Sequence, residues 1–124
     1  MWLMTPIGFF SIVEKPADKP NDTLTVRSRV RRDLVALKQR YLPGLGVIQE
    51  SVDTDYRFRA TAPRAEISAA MARLVSDLHY SNFKSEVAKQ QGYKRSHLYH
   101  GVWDVLHKLQ TDPAFTESEP TTKN

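Results

Sequence analysis

Two short stretches of the chain carry the same pattern. Leu24-Thr25-Val26-Arg27-Ser28-Arg29 and Tyr56-Arg57-Phe58-Arg59-Ala60-Thr61 both alternate, both hold two arginines two residues apart, and both run into a segment with helical spacing. Alternation with period two puts one set of side chains on each face of a strand. A chain of 124 residues has room for one ordinary core. A strand-strand-helix unit used twice therefore predicts an α+β domain. Its sheet is four-stranded and mainly antiparallel, and two further helices follow at the C-terminal end.

The matched pattern also decides an ambiguity. Val26, Val30, Leu34, Leu37 and Tyr41 are spaced by four, four, three and four residues, which suits one long helix opening at a Thr23 cap. The likeness to Tyr56–Thr61 favours a strand over Thr23–Val30 instead. A helix from about Arg31 to Tyr41 follows, closed by Pro43-Gly44.

Around these units, Trp2–Val13 has apolar residues on both parities, which predicts one strand covered on both faces in the middle of the sheet. Thr5, Pro6 and Gly8 interrupt it and no basic segment precedes it, so it reads as structure and not as a secretory leader. Lys15–Asp22 is a polar loop with two prolines, Leu45–Val52 a third strand, and Asp53-Thr54-Asp55 a turn. Pro63 suits a first helical turn, and Ile67, Ala70, Met71, Leu74 and Leu78 mark one helical face. Ser81 or Asn82 can cap a short helix that turns Phe83 and Val87 inward and stops at Gly92. A last helix, about Lys94 to Leu109, gathers Leu98, Val102, Val105, Leu106 and Leu109 on one face, which must then pack on the sheet or on another helix. Residues 1–110 form the expected domain, and the polar, proline-containing stretch 111–124 reads as a disordered tail.

Composition narrows function by exclusion. No run approaches the roughly 20 apolar residues that span a bilayer, so no membrane partner is expected. With no cysteine, the chain has no disulfide framework, thiolate nucleophile or thiolate metal site, which suits a reducing compartment and predicts a cytoplasmic protein. It also lacks a glycine-rich phosphate loop, a nucleophile elbow and a dinucleotide fingerprint. No catalytic residue is assigned, and the balance leans away from an enzyme. Without the tail the chain carries 17 basic and 11 acidic residues, net +6 against +4 for the whole. Arg27, Arg29, Arg31, Arg32, Lys38 and Arg40 fall within fourteen residues beside one acid, Asp33.

Two clusters follow as candidate sites. On the strand reading, Arg27, Arg29, Arg57 and Arg59 share one sheet surface, opposite a surface of Leu24, Val26, Val30, Tyr56, Phe58 and Ala60. Guanidinium groups donate in pairs to phosphate or carboxylate and stack on flat rings, so this surface suits nucleic acid or an acidic protein. The plainer alternative is a solvated face whose arginines pair with Glu14, Glu50, Asp53 or Asp55.

The second cluster lies on the last helix, where His97, His100, Asp104 and His107 fall within about 80° of one another at 100° per residue. Imidazoles and a carboxylate at that spacing can reach one zinc ion, with His79 or Asp77 completing the shell, and could serve a metal-assisted hydrolase. Its plainer alternative is a solvated helix face; zinc is the only cofactor in question, and none is required. Trp2, Trp103 and the tyrosines read as core or interface residues. A third function is a structural module that dimerises through an aromatic or edge-strand surface.

The order Met1-Trp2, Gly8-Phe9-Phe10-Ser11-Ile12-Val13, Leu24-Thr25-Val26-Arg27, Thr54-Asp55-Tyr56-Arg57-Phe58-Arg59-Ala60, Tyr80-Ser81-Asn82-Phe83-Lys84 and Val102-Trp103 resembles a group of short bacterial proteins. The resemblance spans about residues 1–110 and implies no activity.

Overall fold

The computed structural model describes residues 1–116. It falls into two compact units, Met1–Ser81 and Asn82–Asn124. The first holds a five-stranded antiparallel sheet in the order β1-β2-β3-β5-β4, made of β1 (Trp2–Thr5), β2 (Gly8–Val13), β3 (Thr23–Ser28), β4 (Gln49–Glu50) and β5 (Phe58–Pro63). Helices α1 (Arg31–Arg40) and α2 (Arg64–Ser76) follow β3 and β5.

The sheet has five strands and not four because Trp2–Val13 is a hairpin. Thr5 pairs with Gly8 across a two-residue loop, and the Thr5 hydroxyl accepts from the Ile7 and Gly8 N–H groups while donating to the Gly8 carbonyl at 2.8 Å. That loop exchanges odd for even numbering, so Leu3 and Phe10 face the same side while Met4 and Phe9 face the other. Mixed parity thus reports a turn inside the run and not a strand buried on both faces.

The expected strand over Leu45–Val52 contracts to Gln49–Glu50. Leu42 and Leu45 are fully buried beside it, and a turn from the Leu42 carbonyl to the Leu45 N–H takes up the backbone.

The two matched stretches are strands that each run into a helix, but the first unit is strand-strand-strand-helix rather than strand-strand-helix, and among the described residues three helices follow where two were expected. β3 and β5 are adjacent and antiparallel over six residue pairs, from Thr23 opposite Pro63 to Ser28 opposite Phe58. Phe10 and Ile12 of β2, Val26 of β3, and Ala60 and Ala62 of β5 join Leu34 and Leu37 of α1 and Ile67 and Ala70 of α2 in one core. Asp33 ties α1 to the hairpin, its buried carboxylate accepting from the Phe9 N–H at 3.1 Å. A Cβ at Gly8 would stand 2.6 Å from the Asp33 Cγ, so only glycine fits there.

The second unit contains α3 (Phe83–Gln91), α4 (Tyr93–Thr111) and α5 (Pro113–Thr116). As its sequence foretells, Asn82 caps α3 by accepting from the Ser85 N–H at 2.9 Å, and Gly92 ends it at φ +99°. Phe83 stacks on Tyr99 at 6.0 Å, Ser96 donates to the Lys84 carbonyl at 2.7 Å, and Val87 is buried.

The apolar face expected to pack from α4 does not do so. Leu98, Val102, Val105, Leu106 and Leu109 are 37–65% exposed, because α3 packs on the adjoining face that carries Ser96 and Tyr99. Of the segment read as a tail, 111 closes α4 and 113–116 form a helical turn; 117–124 lie outside the described residues. Among the described residues no helix is long and apolar enough to cross a membrane.

Candidate anion-binding face

α1 and α2 cover one face of the sheet. On the other face, register alone assembles a row across all five strands: Trp2 opposite Ser11, Ser11 opposite Arg27, Arg27 opposite Arg59, and Arg59 opposite Gln49. Directly opposed residues share a face, and like charges in that relation repel. Two guanidinium groups therefore face one another across β3 and β5.

The surrounding contacts orient the arginines without neutralising them. Arg27 donates through Nη2 to the Ser11 hydroxyl at 2.8 Å, and Arg59 donates through Nη2 to the Thr54 hydroxyl at 2.6 Å. Arg29 donates to the Asp55 carbonyl, not to its carboxylate. Arg27 and Arg29 lie over the Tyr56 ring, with their guanidinium carbons 4.5 and 4.3 Å from its centroid. Stacking of this kind leaves the guanidinium edges to donate elsewhere. Among the described residues no carboxylate pairs with Arg27, Arg29 or Arg59. The Tyr56 hydroxyl and the Nε atoms of Arg27 and Arg59 are buried and have no hydrogen-bond partner among those residues.

Arg57 stands apart. Its guanidinium closes on Glu50 at 2.7 Å, with both side chains about half exposed, so one of the four arginines follows the plainer alternative. Glu14 is taken by Arg64 at 2.7 Å. The structure thus groups Arg27, Arg29 and Arg59, and sets Arg57 beside them in a neutralised pair.

Tyr56 and Lys15 are the residues that sequence reasoning missed. Tyr56 was expected on the apolar face with Phe58 and Ala60, but β5 begins at Phe58, and the turn before it releases Tyr56 from strand parity to meet the arginines. An aromatic residue beside a tight turn was the available signal. Lys15 opens the three-ten turn Pro16–Asn21 and lines a cleft of about 340 Å³ with Thr25, Gln49, Arg59 and Thr61.

Asp18 of that turn fixes the cleft wall. Its carboxylate accepts from the Lys15 N–H at 2.8 Å, the Thr23 hydroxyl at 2.6 Å and the Thr25 hydroxyl at 2.8 Å. Burial pushes its pKa up, but these hydrogen bonds, with the Arg64 charge, outweigh burial and hold it below the ordinary carboxylate value.

The α4 cluster is arranged differently. His97 stacks on Tyr93, while Trp103 is stacked by His100 at 5.7 Å and by His107 at 4.8 Å. Lys84 Nζ lies 2.8 Å from His100 Nδ1, and Asp104 reaches only His100, at 3.7 Å from Nε2. The Trp103 ring occupies the space between two of the imidazoles, so the angular spacing does not converge them. Among the described residues no three His, Asp or Glu side chains are placed to hold a metal ion. Asp77, read as a distant ligand, accepts from the Tyr41 hydroxyl at 2.9 Å, and His79 Nδ1 lies 3.0 Å from the Asp77 carbonyl.

No family model, curated protein or solved structure matches this chain.

Proposed function

We propose that the protein binds a phosphate-rich partner through the face built on β2, β3 and β5, with single-stranded nucleic acid as the leading instance and an acidic protein as the runner-up. The observation that carries this reading is the row Trp2, Ser11, Arg27, Arg59, Gln49, in which opposed arginines without carboxylate partners lie beside a tryptophan that is 73% exposed. Single-stranded binders combine backbone-tracking positive charge with aromatic rings on which bases stack, each stacked base contributing about 1–3 kcal/mol. The reading is non-enzymatic and needs no cofactor.

Trp2 separates the two partners. Its ring meets Phe9 edge-on at 5.9 Å and keeps most of its surface open. An acidic protein needs only the charge, whereas a nucleic acid also uses the ring.

Fluorescence anisotropy with a labelled single-stranded oligonucleotide tests the proposal. Binding is expected at low salt, weakening linearly in the logarithm of salt concentration as counterions are released. Arg27→Gln/Arg29→Gln/Arg59→Gln should abolish it, Trp2→Ala should weaken it at least tenfold, and Arg57→Gln should change it less than twofold. Equal binding by the parent and the triple variant would sink the reading. Loss with the triple variant but none with Trp2→Ala would transfer it to an acidic partner.

A further inference from the structure

We infer that the exposed apolar face of α4 is a self-association surface, occupied by α4 of a second copy of this chain running antiparallel to the first. Leu98, Val102, Val105 and Leu109 follow one another at four, three and four residues, the spacing of a helix-pairing seam. All four are exposed, with Leu106 flanking them. The seam lies beside the face that α3 covers through Ser96 and Tyr99, so pairing leaves the α3–α4 hairpin intact.

The choice of a second copy rests on self-complementarity. A twofold axis midway between Val102 and Val105 places Val102 of one copy against Val105 of the other, and Leu98 against Leu109, so every apolar layer meets its equal. The same axis brings Arg95 of each copy to Asp112 of the other. Arg95 donates to the Tyr99 hydroxyl at 3.2 Å within its own chain, and it holds the seam position one turn before Leu98, as Asp112 holds the one after Leu109. Asp112 caps the turn Pro113–Thr116 through Oδ1, which accepts from the Ala114 N–H at 2.9 Å. A parallel pair would set Arg95 against Arg95 and Asp112 against Asp112, opposing like charges at both ends of the seam. Two layers of apolar contact on either side of the axis make a small interface, so association is expected to be reversible and concentration-dependent.

Sedimentation of the full chain across about 1 to about 300 μM tests this, a range suited to transient interfaces. The average mass should rise towards twice the 14.2 kDa of the chain, and Val105→Glu should hold it at one chain with helicity unchanged. Arg95→Asp should weaken association, and Arg95→Asp/Asp112→Arg should restore it. The protein has no cysteine, so engineered ones report the register. Equal parts of Leu98→Cys and Leu109→Cys variants should cross-link on mild oxidation, while Leu98→Cys alone should not, its two sulfurs lying about 16 Å apart along the antiparallel pair. A single-chain mass at every concentration, a dimer indifferent to Val105→Glu, or cross-linking of Leu98→Cys with itself would each overturn the inference. Nucleic-acid binding is read from other residues, so either result can fail without the other.

Discussion

The two units treat their apolar residues in opposite ways. In Met1–Ser81 the apolar side chains on the helix-covered face of the sheet close on those of α1 and α2, and Phe10, Val26, Leu34 and Leu37 are completely buried. Among the described residues of the helical unit only Val87 and Tyr99 are buried among the large apolar residues, while seven on α4 are exposed, five of them along one face. A sheet with one covered face satisfies its own hydrophobic pattern, because helices that follow directly from its strands fold back on it. A nine-residue helix beside a nineteen-residue one cannot cover its longer neighbour, so the surplus remains for another surface.

The sharpest way to break this contrast is to truncate one residue from each unit. Phe10→Ala should lower the unfolding free energy by about 3–5 kcal/mol, since it removes a fully buried ring from a close-packed site. Val105→Ala should change it by less than about 0.5 kcal/mol in dilute protein, where its side chain stays exposed on folding. Denaturant titrations at low and high protein concentration measure both. Similar losses at low concentration would show that α4 is already covered within one chain and would end the comparison.

Asp18 sharpens the contrast on the polar side, as a charge buried within the unit that closes on itself. Its pKa is lower folded than unfolded, so its contribution to stability is complete above the unfolded carboxylate value near 4 and is lost as pH falls through the lower folded value. Asp18→Asn keeps the shape but weakens hydrogen bonds to Lys15, Thr23 and Thr25, and should cost about 1–3 kcal/mol at neutral pH. The deficit should shrink on acidification below about pH 4 as the parent protonates. A pH-independent deficit would mean that the carboxylate charge plays no part. Measurement is by chemical unfolding at stepped pH.

How much of this was legible follows from which forces act along the chain and which act across it. Alternation and its repetition located β3, β5 and the helices behind them, because those signals are local in sequence. The hairpin was written in Thr5-Pro6 and in the change of parity from Leu3 to Phe10, but the pattern also suits a single strand buried on both sides. Parity placed all four arginines on one surface, and three of them group there. Arg57 pairs with Glu50 instead, one of four carboxylates open to it on the plainer alternative, and the choice was hidden because Glu50 belongs to an edge strand of two residues with no pattern of its own. Tyr56 was assigned to the wrong face, since its position depends on where β5 begins. The exposed face of α4 was legible as a face but not as exposed, because amphipathic spacing says that a surface wants covering without saying what covers it.

The smallest effect bears on a place where the charges of the sheet unit are not balanced. Arg27 and Arg59 oppose one another across β3 and β5, and no carboxylate among the described residues lies between them. Other charges in the unit have local partners: Glu50 takes Arg57, Glu14 and Asp22 take Arg64, and Asp18 takes two hydroxyls and an N–H. A double-mutant cycle with Arg27→Gln and Arg59→Gln should therefore return a repulsive coupling of about 0.2–1 kcal/mol, the scale of a like-charged cross-strand pair. Each single variant also loses hydrogen bonds of its own, to Ser11 or to Thr54, and the cycle subtracts those losses. The coupling should fade as salt rises and disappear or change sign with an oligonucleotide bound, because a phosphate between two guanidinium groups turns mutual repulsion into a shared attraction. An attractive coupling in the free protein would mean that the arginines are already neutralised within the chain, and the sheet unit would then be as complete in its charges as it is in its core.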